Sequence, residues 1–510
     1  MENIRIHPDN RGAAASYGYV HLGVPSGHPT YCGQHLDDLI TRFEEVSECD
    51  EIITSERSAQ QKWIYLLWVI RQKFPFWFRH MCPSITVDRL PRITALLKRK
   101  FSDIANFHET TTEECWRQVC LPIKSHGCGL GNPLHTVTAA FAANVDETLP
   151  AVREILTQED YMDFLNLEKD IPEDHQFSSV VISNYVLQYR ICKQRIMDAV
   201  NQQGLIMDMD RAKSVITRKK AQHFYFSFLT DHAINLYEDD ITTRGTKHDK
   251  ARTFSNDGRF AGAWLHHVPK KGERFMNDNS FRRALMLRLG VRFHDRPPNC
   301  TCKGHKVLDE HLDHILCCKQ FAGELKARHD AMAREFKSLC NHAGLHFTDP
   351  KLGELRTLDY DDNKAADGCI RGFGAKPLYI DVTIANPTGE NALRVQGTSD
   401  TLHAAIKLKE KVKDDKYLAR CRQINSDFMP LAFEIYGAVS NTAESLIKSL
   451  VNRAALLNKI PFSVLLSYWR RRMSTTLQYY NSWIIEQAYL KINNQGGGNL
   501  GRDFTVERIA

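Results

Sequence analysis

Between Ala365 and Pro387 the chain reads AADGCIRGFGAKPLYIDVTIANP, and no other stretch constrains the fold as tightly. Two short apolar runs, GCI and LYIDVTI, flank a turn-forming Arg-Gly-Phe-Gly-Ala-Lys-Pro segment, which is the pattern of a β-hairpin. Asp367 and Asp381 stand equally far from Gly374, the expected tip. An antiparallel pair would bring them nearly opposite, with Cβ atoms within about 5.5 Å. Period-2 alternation puts Asp381 and Thr383 on one face of the second strand and Ile380, Val382 and Ile384 on the other. An acid inside an apolar strand carries a desolvation cost, and two facing acids repel. A divalent cation resolves both, and Mg²⁺ is typically held by one or two carboxylates plus substrate phosphates. The competing reading is a surface hairpin with two solvated aspartates.

A lysine-rich segment follows, with Lys407, Lys409, Lys411, Lys413 and Lys416 in IKLKEKVKDDKY. Two carboxylates holding a metal and a lysine acting on the attacking water are the working parts of a metal-dependent phosphodiesterase. The alternative for the lysines is a solvated helix face with Glu410 and Asp414 as oppositely charged neighbours.

At 510 residues the chain should hold roughly two to four domains. Its net charge of +6 is compatible with nucleic acid as partner without requiring it. The N-terminus MENIRIHPDNRG is too polar for a signal peptide. The most apolar run, Trp63–Ile70, is too short to span a bilayer and reads as a buried helix. The expectation is an intracellular, nuclear protein in a reducing compartment, without a membrane partner.

Helical periodicity dominates from about His35 to Leu205 and again over roughly Ser178–Leu236 and 440–490. The Gly-rich loop LPIKSHGCGLGNP at 121–133 is not a phosphate-binding loop, because no Gly-Lys-Ser/Thr follows. Residues 241–262 are polar and Gly-containing and read as a linker. YEDD at Tyr237–Asp240 and Tyr360-Asp361-Asp362 lack the flanking hydrophobic strands of a polymerase acid pair and read as solvated loops.

The segment CTCKGHKVLDEHLDHILCCKQF from Cys300 carries thiolates and imidazoles at the spacing of a four-ligand structural Zn²⁺ site. The expected ligands are Cys300, Cys302, His314 and Cys318. Cys317, His311 and His305 compete, since a C-x-C turn and a later H-x₂₋₃-C pair leave slack. So small a knuckle cannot form a core alone, and the metal would supply its folding energy.

Taken together and in order, these pieces resemble the C-terminal half of the polyprotein of early-branching non-LTR retrotransposons that carry a restriction-enzyme-like endonuclease. YVHLGVPSGHP at 19–29 looks like the end of the reverse-transcriptase palm, and LPIKSHGCGLGNPLHTVTAAFAAN at 121–144 looks like a thumb and connector segment. WLHHVP at 264–269 and FRRALMLRLG at 281–290 match the helical region ahead of a CCHC knuckle. Arg328-His329-Asp330 falls on a short basic-His motif, and Asp349-Pro350 on an acidic-Pro pair. Asp367 and Asp381 fall on the two metal-binding acids of a PD-(D/E)xK-type nuclease, Lys413 or Lys416 on its displaced lysine, and Glu434 on a further acid. The family has Pro-Asp or Pro-Ala-Asp at the first acid, where this chain has Ala-Ala-Asp.

The resemblance implies a multidomain chain. Its parts would be a palm remnant (1–30), a helical thumb-like connector (31–240), a linker and helical lead-in (241–299), a zinc knuckle with its following helix (300–345), an α/β PD-(D/E)xK-type nuclease core with a C-terminal helical extension (346–490) and a flexible tail (491–510). It implies an Mg²⁺- or Mn²⁺-dependent endonuclease that nicks DNA, with Zn²⁺ in the knuckle. DNA, template RNA and a polymerase subunit or other retrotransposon protein are the implied partners. Arg328 and His329, with Arg470 and Arg471 of the basic-aromatic YWRRR patch, would hold the nucleic acid. The polymerase acids are absent from this stretch, so reverse transcription is not expected of it. The alternatives are a DNA- or RNA-binding remnant without turnover, and a zinc scaffold for a polymerase.

Overall fold

The computed structural model describes residues 18–21, 24–44, 58–106, 112–152, 180–202, 221–269, 273–293, 298–304, 306–357, 359–360 and 365–496. Among these, helices predominate, with a two-stranded ribbon and one four-stranded mixed sheet.

In the ribbon, β1 (Gly18–His21) and β2 (Val24–Gly27) pair antiparallel, with Gly18 opposite Gly27. Behind it, α1 (Pro29–Glu44), α2 (Ala59–Tyr65), α3 (Arg71–His80), α4 (Leu90–Ala105) and α5 (Glu113–Cys120) share one apolar core. Ser58 and Gln61 form a capping box that starts α2. A wide π-helical turn, Leu66–Ile70, joins α2 to α3. Trp63, Leu66, Leu67 and Ile70 are buried as the apolar run predicts. No helix among the described residues is long and apolar enough to cross a membrane.

A second helical cluster comprises α6 (Pro133–Val152), α7 (Val180–Gln202) and α8 (Ala221–Arg244). The YEDD string lies inside α8 rather than in a loop, and Tyr237 is buried. Asp361 and Asp362 lie outside the described residues, as do residues 203–220 with Arg218-Lys219-Lys220.

The linker expected at 241–262 is instead structured. Thr246 and Asp249 form the capping box of α9 (Lys247–Ser255). Buried Arg252 donates to Gln118 Oε1 at 3.2 Å and to Arg288 O at 2.6 Å. Arg288, on α10 (Asp278–Leu289), donates in turn to Gly127 O at 2.8 Å. Asn256 Nδ2 donates to the same Arg288 O at 2.8 Å, and His126 Nδ1 of the 121–131 loop lies 2.9 Å from Thr253 O, so the polarity of this stretch is not a sign of exposure. Trp264, 1% exposed, packs edge-on to Phe281 at 5.3 Å within the first core. Trp264→Ala should cost about 3–5 kcal/mol, read as a lower urea midpoint at unchanged slope. A shift below about 1 kcal/mol would mean that this segment stands outside the cooperative core.

The sheet half begins with α11 (Ala322–His342). There follow β3 (His346–Thr348), β4 (Gly368–Arg371), β5 (Leu378–Ala385), α12 (Glu390–Val395), α13 (Ala404–Gln423) and β6 (Asp427–Glu434). Strands β3, β4 and β5 form an antiparallel meander, so the predicted hairpin is present as β4–β5. β6 lies parallel to β5, reached by a crossover through α12 and α13. Ile380, Val382, Leu431 and Phe433 pack on one face with α11, α14 (Asn441–Asn458) and α15 (Phe462–Gly496). Tyr379 and Cys369 pack on the other with Tyr417 and Cys421 of α13. With both faces covered, β5 is buried almost throughout.

Helix α15, 35 residues and roughly 50 Å long, is the spine of the molecule. Trp469 and Leu477 join the sheet core, and Ile484 and Ile485 join the core beneath the Cys/His segment. The helix continues to Gly496, beyond the expected start of a flexible tail at 491, and residues 497–510 lie outside the described set.

Candidate functional site

Cys300, Cys302, His314 and Cys318 converge, with one donor atom from each within 4.8 Å of the others. Cys300 Sγ lies 3.9 Å from Cys318 Sγ, and Cys302 Sγ lies 3.6 Å from His314 Nε2. A tetrahedral zinc with Zn–S near 2.3 Å and Zn–N near 2.0–2.1 Å sets such pairs roughly 3.8 and 3.6 Å apart, so the donors fit a metal such as zinc. Local backbone builds the site. Cys300 N donates to Lys306 O at 2.8 Å, and the Asp309 carboxylate accepts from the N–H groups of His311, Asp313 and His314. Hydrogen bonds from backbone N–H, Lys306 first, and from His314 lower the Cys302 thiol to about 6, toward the thiolate that a metal needs. Of the competitors, Cys317 points its sulfur at Asp313 O, 3.5 Å away, and His311 stacks on His248 at 3.9 Å. His305 lies outside the described residues.

The second cluster lies on the hairpin. Asp381, 3% exposed, faces α13, and its carboxylate contacts the Lys413 ammonium directly. Asp367, at the foot of β4, accepts from Val382 N at 2.7 Å and from His329 Nε2 at 2.9 Å. The same imidazole nitrogen lies 3.0 Å from Val382 O, and His329 Nδ1 lies 3.1 Å from Asp330 Oδ1. Burial, then the charge of Asp367, pushes the Asp381 carboxyl above its ordinary value, partly offset by Lys413. Burial works against a charged His329, but the bond to Asp367 overcomes it and raises the imidazole to about 9. Between the two candidate lysines the geometry discriminates. Lys413 reaches Asp381, whereas Lys416 bonds the Tyr417 hydroxyl, which donates to Ala365 O at 2.9 Å. No protein-family model matches the chain, and no curated protein matches it.

Several expected site residues are placed elsewhere. Arg328 is buried and donates to Asn481 Oδ1 at 2.8 Å and to Leu316 O at 3.4 Å, so it ties α11 to α15 and cannot present itself to a nucleic acid. Arg470 is held by Glu444. Glu434 is buried, but Pro430 is the β6 residue opposite Asp381, which leaves Glu434 about 13 Å further along the strand. Asp349 forms a surface pair with Lys337 at 2.8 Å. Arg471 has no carboxylate partner among the described residues and donates to His266 O at 3.4 Å.

The sequence reading missed a polar network beside the knuckle. Asp313 bonds His248 Nε2 at 3.0 Å and Tyr436 OH at 3.2 Å, and also accepts from the Thr388 hydroxyl. Its members come from α9, the knuckle, the β5–α12 turn and the end of β6, so no local spacing announces it. Burial opposes a charged His248, but the carboxylates of Asp313 at 3.0 Å and Asp249 at 3.9 Å prevail and raise it to about 9. A raised folded-state value means stability that is full below about pH 6.5 and lost as pH climbs through about 9. In thermal melts, His248→Gln should remove on the order of 2–3 kcal/mol of that pH-dependent stability. Identical pH profiles for the two proteins would contradict the pairing.

A cavity of about 1030 Å³ separates the knuckle from the end of β5. Lys413 and His329, the partners of the two acids, line it together with Lys409 and His248.

Proposed function

We propose that the chain is a metal-dependent DNA endonuclease, with the mixed sheet and its flanking helices as a PD-(D/E)xK-type core. It would correspond to the endonuclease region of a non-LTR retrotransposon protein. One observation carries the reading. Two acids from neighbouring strands and a lysine from the crossover helix meet at a largely buried point beside a cavity. The donor set of two carboxylates suits a hard cation such as Mg²⁺ or Mn²⁺ completed by substrate phosphate oxygens. Bound there, the cation would polarise the phosphate and lower the pKa of an attacking water. Asp367 and Asp381 would hold it, and their mutual repulsion in a buried setting favours an added positive charge. Lys413 would orient the water and stabilise charge developing on phosphate. The zinc knuckle carries no chemistry in this scheme and sets the position of α11.

The deciding experiment is nicking of supercoiled plasmid by the intact chain with Mg²⁺ or Mn²⁺ and with chelator. Metal-dependent open-circular product supports the reading. No nicking, with salt-sensitive DNA or RNA binding retained, would replace it with a binding protein that has no turnover.

His329 is a positioning residue, because it acts on Asp367 and not on substrate. His329→Ala should reduce nicking about 10–100-fold and raise the metal concentration needed. His329→Gln, which can still donate to Asp367, should restore part of both. Equal loss in the two variants would refute the positioning role.

A further inference from the structure

Two motifs distant in sequence, WLHHVP and YWRRR, meet on the helical half of the molecule, away from the acid pair. Trp68 sits on the π-helical turn between α2 and α3, and π-turns recur at functional sites. Its indole is 47% exposed and packs edge-on to the His266 ring at 5.8 Å, at an interplanar angle of 63°. Nearly half of the indole stays open to solvent beside this contact. Arg471 Nη1 donates to His266 O at 3.4 Å. Arg71, one residue past the π-turn, donates through Nη1 to Gly129 O at 3.0 Å. The 127–131 loop is shaped around this guanidinium, since a Cβ at Gly131 would come within 3.1 Å of Arg71 Nη2.

Neither arginine has a carboxylate partner among the described residues, and each donates to a backbone carbonyl. Glu273, the acid beside neighbouring His267, is held by the Tyr468 hydroxyl at 2.6 Å. Burial, then the charges of Arg471 and Arg71, holds His266 down at about 4, so the imidazole is neutral near pH 7. Two guanidiniums without carboxylate partners therefore act on His266, on which the half-exposed indole packs. Converging like charges call for an anion, and an open indole beside them calls for a planar partner.

We propose that Trp68, Arg71 and Arg471 form a binding site for an unpaired nucleotide strand. A base stacks on the indole, and the adjoining phosphates meet the two arginines. A duplex, whose bases are stacked on one another, offers no free base face. The site does not depend on the nuclease reading.

The test is fluorescence anisotropy with labelled oligo-dT and oligo-U of equal length, on the intact chain and over a range of salt. Trp68→Ala should weaken binding about tenfold, and Trp68→Phe should retain most of it. Arg471→Gln should lower the slope of log affinity against log salt by about 0.7. Binding is read without added divalent metal, which nicking needs, and this keeps the outcome separate from that of the nicking assay. Equal binding of both oligonucleotides supports recognition through base faces and phosphates, and tighter binding of oligo-U supports it with the 2′-hydroxyl added. Wild-type affinity and salt slope in both Trp68→Ala and Arg471→Gln would overturn the site, as would an equal loss of duplex affinity in Trp68→Ala.

Discussion

Asp381→Asn should abolish metal-dependent nicking, with a loss on the order of 10³-fold or more, while the protein folds at least as well as before. Both halves follow from one geometry. The carboxylate is 3% exposed, faces a second acid, and is balanced only in part by Lys413. Burial and Asp367 raise its pKa, so the ionised form is disfavoured in the folded state. The sign of the linkage is definite. Stability falls as pH rises from the ordinary aspartate range through the raised folded-state value, and an asparagine has no such dependence. Without metal, the variant should therefore match or exceed the parent in melting temperature at pH 7 and lose the decline on the acid side. Added Mg²⁺ should stabilise the parent and not the variant. A variant that still nicks would remove Asp381 from the chemistry. A variant that cannot nick but has also lost its fold would show the residue to be structural. Lys413→Ala completes the argument, because it should lose nicking and also lose stability, leaving Asp381 buried without its cation.

Cys318→Ser should have the second large effect. The knuckle has little core of its own, and Cys318 and Cys300 sit among Leu308, Ile315, Leu316 and Phe321 under α15. Apparent binding energies of about 10–16 kcal/mol for structural zinc exceed what such a segment gains from packing. The expected results are loss of about one zinc per chain by elemental analysis and loss of hydrogen-exchange protection over residues 298–321. Consequences should reach the acid pair, because α11 begins at Ala322 and carries His329 to Asp367. Nicking should fall about 10–100-fold, as when an outer-shell partner of a metal site is lost. A Cys317→Ser variant should behave as the parent, since its sulfur lies outside the four-donor group. Full zinc content in Cys318→Ser would reassign the ligand set.

The legible part of this chain is the part whose physics is local. The hairpin could be read because side-chain alternation and turn residues act over a few positions, and the pairing of β4 with β5 follows them. The four donors that could hold a metal could be read because knuckle ligands cluster within about twenty residues. Apolar periodicity marked the helical stretches for the same reason, whereas the capping box of Thr246 and Asp249 lay inside the expected linker.

What the sequence could not decide depends on partners far along the chain. Lys413 rather than Lys416 meets Asp381 because of how α13 crosses the sheet, which a run of evenly spaced lysines leaves open. Arg328 looks like a nucleic-acid contact in a basic-His motif, yet it is buried against Asn481, 153 positions away. The polar 241–262 stretch looks solvated until Gln118 and the Arg288 carbonyl supply bonds for its side chains. Trp68 and Arg471 look unrelated until both reach His266. A charge has the same local signature whether water or a distant carbonyl satisfies it, so only the tertiary structure separates the arginines that hold the fold together from those left to bind something else.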